Sequence, residues 1–300
     1  MTRRHALALF AAAASKAETK ILFGGDVLLA RGVALAARVH NDYSWPFREI
    51  APQFRDADIA FVNLEGPFAA MPNPQSTNMV FRAQREMVAG LATAGIDVVS
   101  TANNHARDAG AQGVELTLSV LREQGIAAAG TGRDFNEAHA GVVLPRNGIR
   151  FGFLAYTYDA NNGIYTDIDP RIALADAAQI RVDVASLRQR ADVVIVSMHH
   201  GWEYYTTANP HQKAFAKAAI DAGASVVVGH HPHVVQPWER CGAGVIFYSL
   251  GNLVFDQSEP AATKRGLLAE VTFRGAALLD VKAIPVEITG CSPRLSQPTA

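Results

Sequence analysis

Two hydrophobic runs, each of the kind that forms a buried parallel strand, end in histidine, and this is the tightest constraint on what the chain can become. Asp-Val-Val-Ile-Val-Ser at 192–197 leads to His199 and His200, and Ala-Ser-Val-Val-Val-Gly at 224–229 leads to His230, His231, Pro232 and His233. Six of the ten histidines lie between 199 and 233. In open α/β sheets ligands bind beyond the carboxyl ends of the strands, so imidazoles delivered there from neighbouring strands converge. The pattern reads first as a metal site.

Three earlier strand-like runs end in complementary donors. Residues 20–23 precede Gly24, Gly25 and Asp26; residues 59–62 precede Asn63, Leu64 and Glu65; residues 97–101 precede Asn103, Asn104 and His105. Carboxylates, amides and imidazoles form a mixed oxygen and nitrogen set that suits Mn, Fe, Zn or Co. The set holds no thiolate, which argues against a structural zinc or an iron–sulfur cluster.

The ordered motifs Gly-Gly-Asp at 24–26, Asn-Leu-Glu at 63–65, Asn-Asn-His at 103–105, His-His-Gly-Trp-Glu-Tyr at 199–204 and Gly-His-His-Pro-His-Val at 229–234 resemble the CapA family of poly-γ-glutamate capsule proteins. That family is a branch of the calcineurin-like metallophosphoesterase superfamily. The resemblance continues through the segment 246–256 and covers roughly residues 20–256. It implies an α/β fold, a four-layer α-β-β-α sandwich with two central sheets, and one or two divalent metal ions at the strand ends.

The superfamily pattern implies Asp26 on one metal, Glu65 bridging both, and Asn104, His199 and His231 on the second, with His233 returning to the first. His105 matches the histidine that helps protonate a leaving oxygen. Two adjacent cations of this kind activate a water and clamp phosphate oxygens. The superfamily's first motif commonly has a histidine two residues after its aspartate, where this chain has Leu28. Asn63, Asn252, His230 or water remain open as the missing ligand. His200 and His230 adjoin the better candidates and cannot point the same way as these on an extended backbone, so orienting or surface roles are expected for them. Glu203 and Tyr204 follow the His199 motif closely and are candidates for positioning substrate.

The resemblance implies a metal-dependent hydrolase associated with capsular poly-γ-glutamate or another surface polymer. An accessory protein that binds an anionic polymer without turnover, and an amide hydrolase or transferase acting on polyglutamate, stay open beside it. Implied partners are an anionic polymer or phosphoester and a membrane-bound polymer synthase or export complex. A formal net charge of -1 gives no basic footprint for nucleic acid. Nucleotide-cofactor loops, the Gly-x-Ser-x-Gly element and the His-Glu-x-x-His helix are all missing from the sequence.

Residues 1–19 read as an export signal: Arg3 and Arg4, an apolar run over 6–14, then small residues, with Thr2 to Leu7 resembling a twin-arginine address. An exported, periplasmic or envelope-associated protein is expected, with a cytoplasmic one as the alternative. Residues 20–290 read as a single domain and 291–300 as a structureless tail. Cys241 and Cys291 leave a disulfide open. Helices are expected over 85–94, 111–124, 172–190 and 209–222, the last opened by Asn209 and Pro210. Long loops at 67–80 and 158–170 could form rims over the site. Strands at 266–273 and 278–289 are expected to complete the second sheet.

Overall fold

In the computed structural model, residues 17–72, 79–159 and 167–296 are described. Most of the expected export signal, much of both expected rim loops and the last four residues of the tail lie outside them. The chain first lays down β1 (Glu18–Val27), β2 (Ile59–Leu64), β3 (Val98–Ser100) and β4 (Ala127–Ala129), with α1 (Arg31–Val39), α2 (Ala51–Arg55), α3 (Val88–Ala94) and α4 (Gly110–Glu123) between them. These four strands are neighbours in that order and parallel.

A second sheet follows, from β5 (Val142–Arg146), β6 (Ile149–Thr157), β7 (Val193–His199), β8 (Val226–His230), β9 (Trp238–Cys241) and β10 (Gly244–Phe247). Its strand order is β5-β6-β7-β8-β10-β9, and α5 (Phe135–Ala140), α6 (Gln179–Leu187) and α7 (Pro210–Asp221) pack against it. The chain then returns to the first sheet with β11 (Asn252–Val254), β12 (Arg265–Arg274), β13 (Ala277–Thr289) and β14 (Ser292–Leu295).

Side-chain alternation along the strands separates three apolar cores. In β7, Val193 and Ile195 face the first sheet, where they share one core with Ile21, Phe23, Ile59 and Phe61 of that sheet and with Val226 and Val228 of β8. Val194, Val196 and Met198 face the other way, onto α6 and α7. Leu22, Ala60 and Val62 pack beneath α1 to α4. Three cores between four layers make the α-β-β-α sandwich that the motifs implied.

Several expectations shift. The strands at 266–273 and 278–289 join the first sheet, because β12 runs antiparallel to β1 through Glu18↔Arg274 to Phe23↔Ala269. The same pairing draws Glu18 and Thr19 into β1, so the folded domain begins inside the segment expected as signal. The tail expected from 291 instead forms β14, paired with Val286 to Thr289. The helix expected over 172–190 is shortened to α6, because Ile172 and Leu174 bridge Thr131 and Thr157 as extended chain. Asp176 then begins the helix by accepting the N–H groups of Ala178 and Gln179. Cys241 and Cys291 are both free, packed against different cores.

Candidate metal centre

The parity that separates the cores also builds the site. Continuing the inward series Ile59, Phe61 brings Asn63 to the inter-sheet face at the end of β2, with Glu65 just beyond it; Ile195 continues to His199, and Val228 to His230. His199 and His230 are register partners on adjacent parallel strands. In β1 the register with β2 slips between Phe23 and Asp26, an irregularity of the type that re-aims a side chain. Gly25 permits this, since a Cβ there would lie 2.0 Å from the Gly251 carbonyl oxygen.

Pro232 lies between two residues with left-handed backbone, His231 at φ 95° and His233 at φ 59°. Each such conformation costs about 1–3 kcal/mol for a non-glycine residue, so surrounding contacts must hold it. One holds directly: the His231 N–H donates to Asp26 Oδ2 at 3.2 Å. The turn breaks strand alternation, so His230, His231 and His233 all reach the same buried space.

That space is closed and crowded with donors. Asp26, Glu65, Asn104, His199, His230, His231 and His233 are each at most 3% exposed. One ligand atom from each of Asp26, Glu65 and His199 lies within 4.8 Å of the other two. His233 comes within 3.6 Å of Asp26 and 3.7 Å of Glu65, while the His199 and His231 rings are 4.9 Å apart. The Asn63 amide donates to Asp26 Oδ1 at 2.9 Å and lies 3.3 Å from His199 Nδ1, and His199 Nε2 is 2.8 Å from Asn104 Oδ1.

Electrostatics match a cation site. Burial alone would raise the Asp26 carboxyl, but His230, His233 and the Asn63 amide hold it below its usual range. Glu65 is pushed well above its ordinary value, by burial first and then by the Asp26, Glu203 and Asp108 carboxylates. Burial and the neighbouring histidines hold His199 well below its usual range and push His231 down to about 3. Neutral imidazoles present lone pairs, the form in which they bind metal.

The fit to a metal rests on polar atoms with nothing to bind. Both Glu65 carboxylate oxygens, both His230 ring nitrogens and His231 Nδ1 are buried without a hydrogen-bond partner. Each such atom costs about 1–3 kcal/mol unless a partner is supplied. The mixed carboxylate, amide and imidazole set is one that a divalent ion satisfies.

Beside the cluster, His105 Nδ1 lies 2.8 Å from Asp108 Oδ2, and its Nε2 points to Glu65 at 4.0 Å. Asp108 also accepts the Phe81 N–H, and the Phe81 ring stacks on His105 with centroids 3.8 Å apart. Imidazole tautomer and ring plane are thus both fixed.

Against this fold and site, residues 20–257 match the family described as bacterial capsule synthesis protein PGA_cap. The chain belongs to this family. Among curated PGA_cap-like relatives, capsule biosynthesis protein CapA of Bacillus anthracis is 35% identical over 90% of this chain and 67% of its own length. PGA biosynthesis protein CapA of Bacillus subtilis is 31% identical over 90% of this chain and 72% of its own. Among solved structures, a novel phosphatase from Mycoplasma pneumoniae superposes with TM-score 0.57 at 14% identity, over 91% of this chain and 94% of that one. A putative 5'-nucleotidase from Staphylococcus aureus gives TM-score 0.52 at 11% identity, over 91% and 55%. The PGA_cap domain therefore has a metallophosphoesterase-like fold.

Within this PGA_cap chain, Asp26, Glu65, Asn104, His199, His231 and His233 share one pocket with His105. Leu28, standing where a further histidine was considered, is buried in the apolar core beneath the helices. Among the residues left open as an additional ligand, His230 turns inward, with Nδ1 3.4 Å from Asp26 Oδ1. Its burial corrects the expected surface alternative, its approach to Asp26 fits the expected orienting role, and the inward parity of Val226 and Val228 is the signal for that placement. Asn252 is occupied otherwise: its Oδ1 lies 2.9 Å from His233 Nδ1, and its Nδ2 donates to Gln257 and Thr263. Asn63 bridges Asp26 and His199, leaving its Oδ1 buried without a partner. His200 points away, stacked on Tyr158 at 5.3 Å. Glu203 is half-buried, and the neighbouring Tyr204 hydroxyl accepts from Gln257 Nε2 at 2.9 Å. Asp108 orients His105.

Proposed function

We propose that the protein is a metal-dependent hydrolase of the phosphoesterase type, acting on a phosphoester or other anionic surface polymer during capsule assembly outside the cytoplasmic membrane. The carrying observation is the buried convergence of Asp26, Glu65, Asn104, His199, His231 and His233, with both Glu65 oxygens unpartnered. These six residues would hold one or two divalent ions, with His230 within reach beside Asp26. When bound, the metal supplies Lewis acidity toward a substrate oxygen and toward water.

The chain's own residues supply the rest. His105, held through Nδ1 by Asp108 and stacked on Phe81, is placed to give the Nε2 proton of its imidazolium form to a leaving oxygen, with the Asp108 carboxylate orienting the ring and stabilising that form. Asn63 tethers Asp26 to His199, so that both keep their aim before a substrate arrives. The polymer assignment leans on the relatives, which carry names in capsule and PGA biosynthesis. A membrane-bound synthase or export complex is the proposed partner.

A second reading, a metal-holding accessory protein without turnover, is favoured by Leu28. With an apolar side chain there, the first metal has fewer donors. A Mycobacterium tuberculosis relative, 28% identical, also carries the name of a probable polyglutamine synthesis accessory protein. Turnover of bis(p-nitrophenyl) phosphate by the manganese-loaded protein separates the readings. Hydrolysis that falls about 10²–10⁴-fold in kcat on His105→Ala, at unchanged metal content, supports the hydrolase. Loaded protein with no turnover supports the accessory role.

A further inference from the structure

Beside the end of β6, where Leu174 bridges Thr157, a cavity of about 300 Å3 opens between α5, the start of α6 and the extended chain at Ile172 and Leu174. Phe135, Ile168, Pro170, Ile172 and Leu174 give it an apolar wall. That volume is about twice the roughly 150 Å3 that encloses a benzene ring in an apolar protein interior.

Asp169, Asp176, Gln179 and His139 complete the lining, and His139 is the imidazole among them. His139, 8% exposed, also lines the cavity, and its Nδ1 lies 2.7 Å from Asp183 Oδ2. The same oxygen accepts the Tyr156 hydroxyl at 2.7 Å, and Asp183 Oδ1 accepts Gln179 Nε2 at 2.8 Å. A carboxylate offers no proton, so Nδ1 must carry the N–H. In the neutral imidazole Nε2 is then left as an acceptor, and it has no hydrogen-bond partner among the described residues. Phe135 stacks on the ring at 4.0 Å and fixes its plane. A fixed acceptor in a ring-sized apolar cavity is the usual plan of a small-ligand site.

We infer that this cavity is a second ligand site, taking a small neutral molecule with an apolar ring or branched chain and a single hydroxyl. The hydroxyl donates to His139 Nε2 while the apolar part fills the space against Ile172 and Leu174. An anion such as benzoate brings no proton to His139 Nε2, so the site selects against it, and its rim carries Asp169 and Asp176. It is also preformed: Asp169 is bridged to Arg107 at 3.2 Å and Arg171 at 3.1 Å, and Asp176 caps α6.

Phenol, toluene and benzoate, titrated calorimetrically into the full-length protein, test the inference. Phenol should saturate at one molecule per chain and bind at least tenfold more tightly than toluene, with no saturable binding of benzoate. Leu174→Trp fills the cavity without touching the His139–Asp183 pair and should abolish phenol binding; if that variant fails to fold, Ile168→Trp on the exposed wall takes its place. His139→Phe should erase the preference for phenol over toluene. Phenol binding that survives the filled cavity, equals toluene in the wild type, or never saturates overturns the inference.

Discussion

Glu65 and the histidines around it have opposite proton preferences. Burial and neighbouring carboxylates raise Glu65, whereas burial lowers His199, His200 to about 4 and His231 to about 3. A divalent ion requires the Glu65 carboxylate, so binding displaces its proton and apparent affinity should rise with pH until Glu65 is ionised. Calorimetry in buffers of different ionisation enthalpy reads that proton directly; identical heats in every buffer would contradict it. The signs for metal-free stability are opposite on the two sides. Unfolded histidines titrate near their usual 6.5 while folded His231 and His200 do not, so the unfolded state binds more protons and stability falls as pH drops below 6.5 toward 3. Glu65 works the other way, costing stability as pH rises above its usual 4.5 toward its raised folded value. Denaturant midpoints of the metal-free protein should therefore peak between these limits. Asp108→Asn should keep the metal and lower kcat about 10–100-fold, because it frees the His105 tautomer rather than a ligand. At this scale the donor types were legible in the sequence, and so was His199 over His200. The inward turn of His230 was obscured by treating the histidine cluster as one extended segment, whereas His231 at φ 95° lets consecutive imidazoles face the same space.

Among the elements, β1 carries the tightest backbone approach to the site. Gly25→Ala would set a Cβ 2.0 Å from the Gly251 carbonyl oxygen, which itself accepts the Asp26 N–H at 3.0 Å. Overpacking of this kind costs about 1–3 kcal/mol, and here it should also weaken metal binding by displacing Asp26. Chemical denaturation and a metal titration on the same variant read both effects; a wild-type metal affinity would show that Asp26 does not depend on that approach. By contrast, Asn209→Ala should lower stability by about 1 kcal/mol and leave metal binding intact, because the Asn209 side chain acts on the start of α7, accepting the Gln212 N–H. The caps of α7 were readable because Asn209 and Pro210 act locally. The start of α6 was not, because its competitor is long-range: Ala173 donates to Gly130 and accepts from Thr157, which holds residues 172–175 extended despite their helical composition. Strand β14 escaped for the same reason, since Ser292 to Leu295 is ordered by pairing with β13 rather than by its local sequence.

Across the whole molecule, the two sheets meet on aromatic contacts directly beneath the metal centre. Phe61 of β2 stacks on Phe153 of β6 at 5.9 Å and approaches Phe23 and His230. Phe61→Ala should cost about 3–5 kcal/mol in unfolding free energy, and a loss much below that would mean the sheets close over the cavity. The four layers were legible because buried parallel strands and intervening amphipathic stretches alternate through most of the chain. Which sheet the last strands join was not legible, because β12 pairs with β1 across the full length of the chain.

Metal content of the purified protein, measured by elemental mass spectrometry after mild dialysis, tests the central claim most directly when wild type is compared with His231→Ala combined with His233→Ala. About one or two equivalents of a transition metal in the wild type, lost from a double variant that still folds, is the expected result. Wild-type protein that retains no metal even after manganese or zinc is added back would contradict the account.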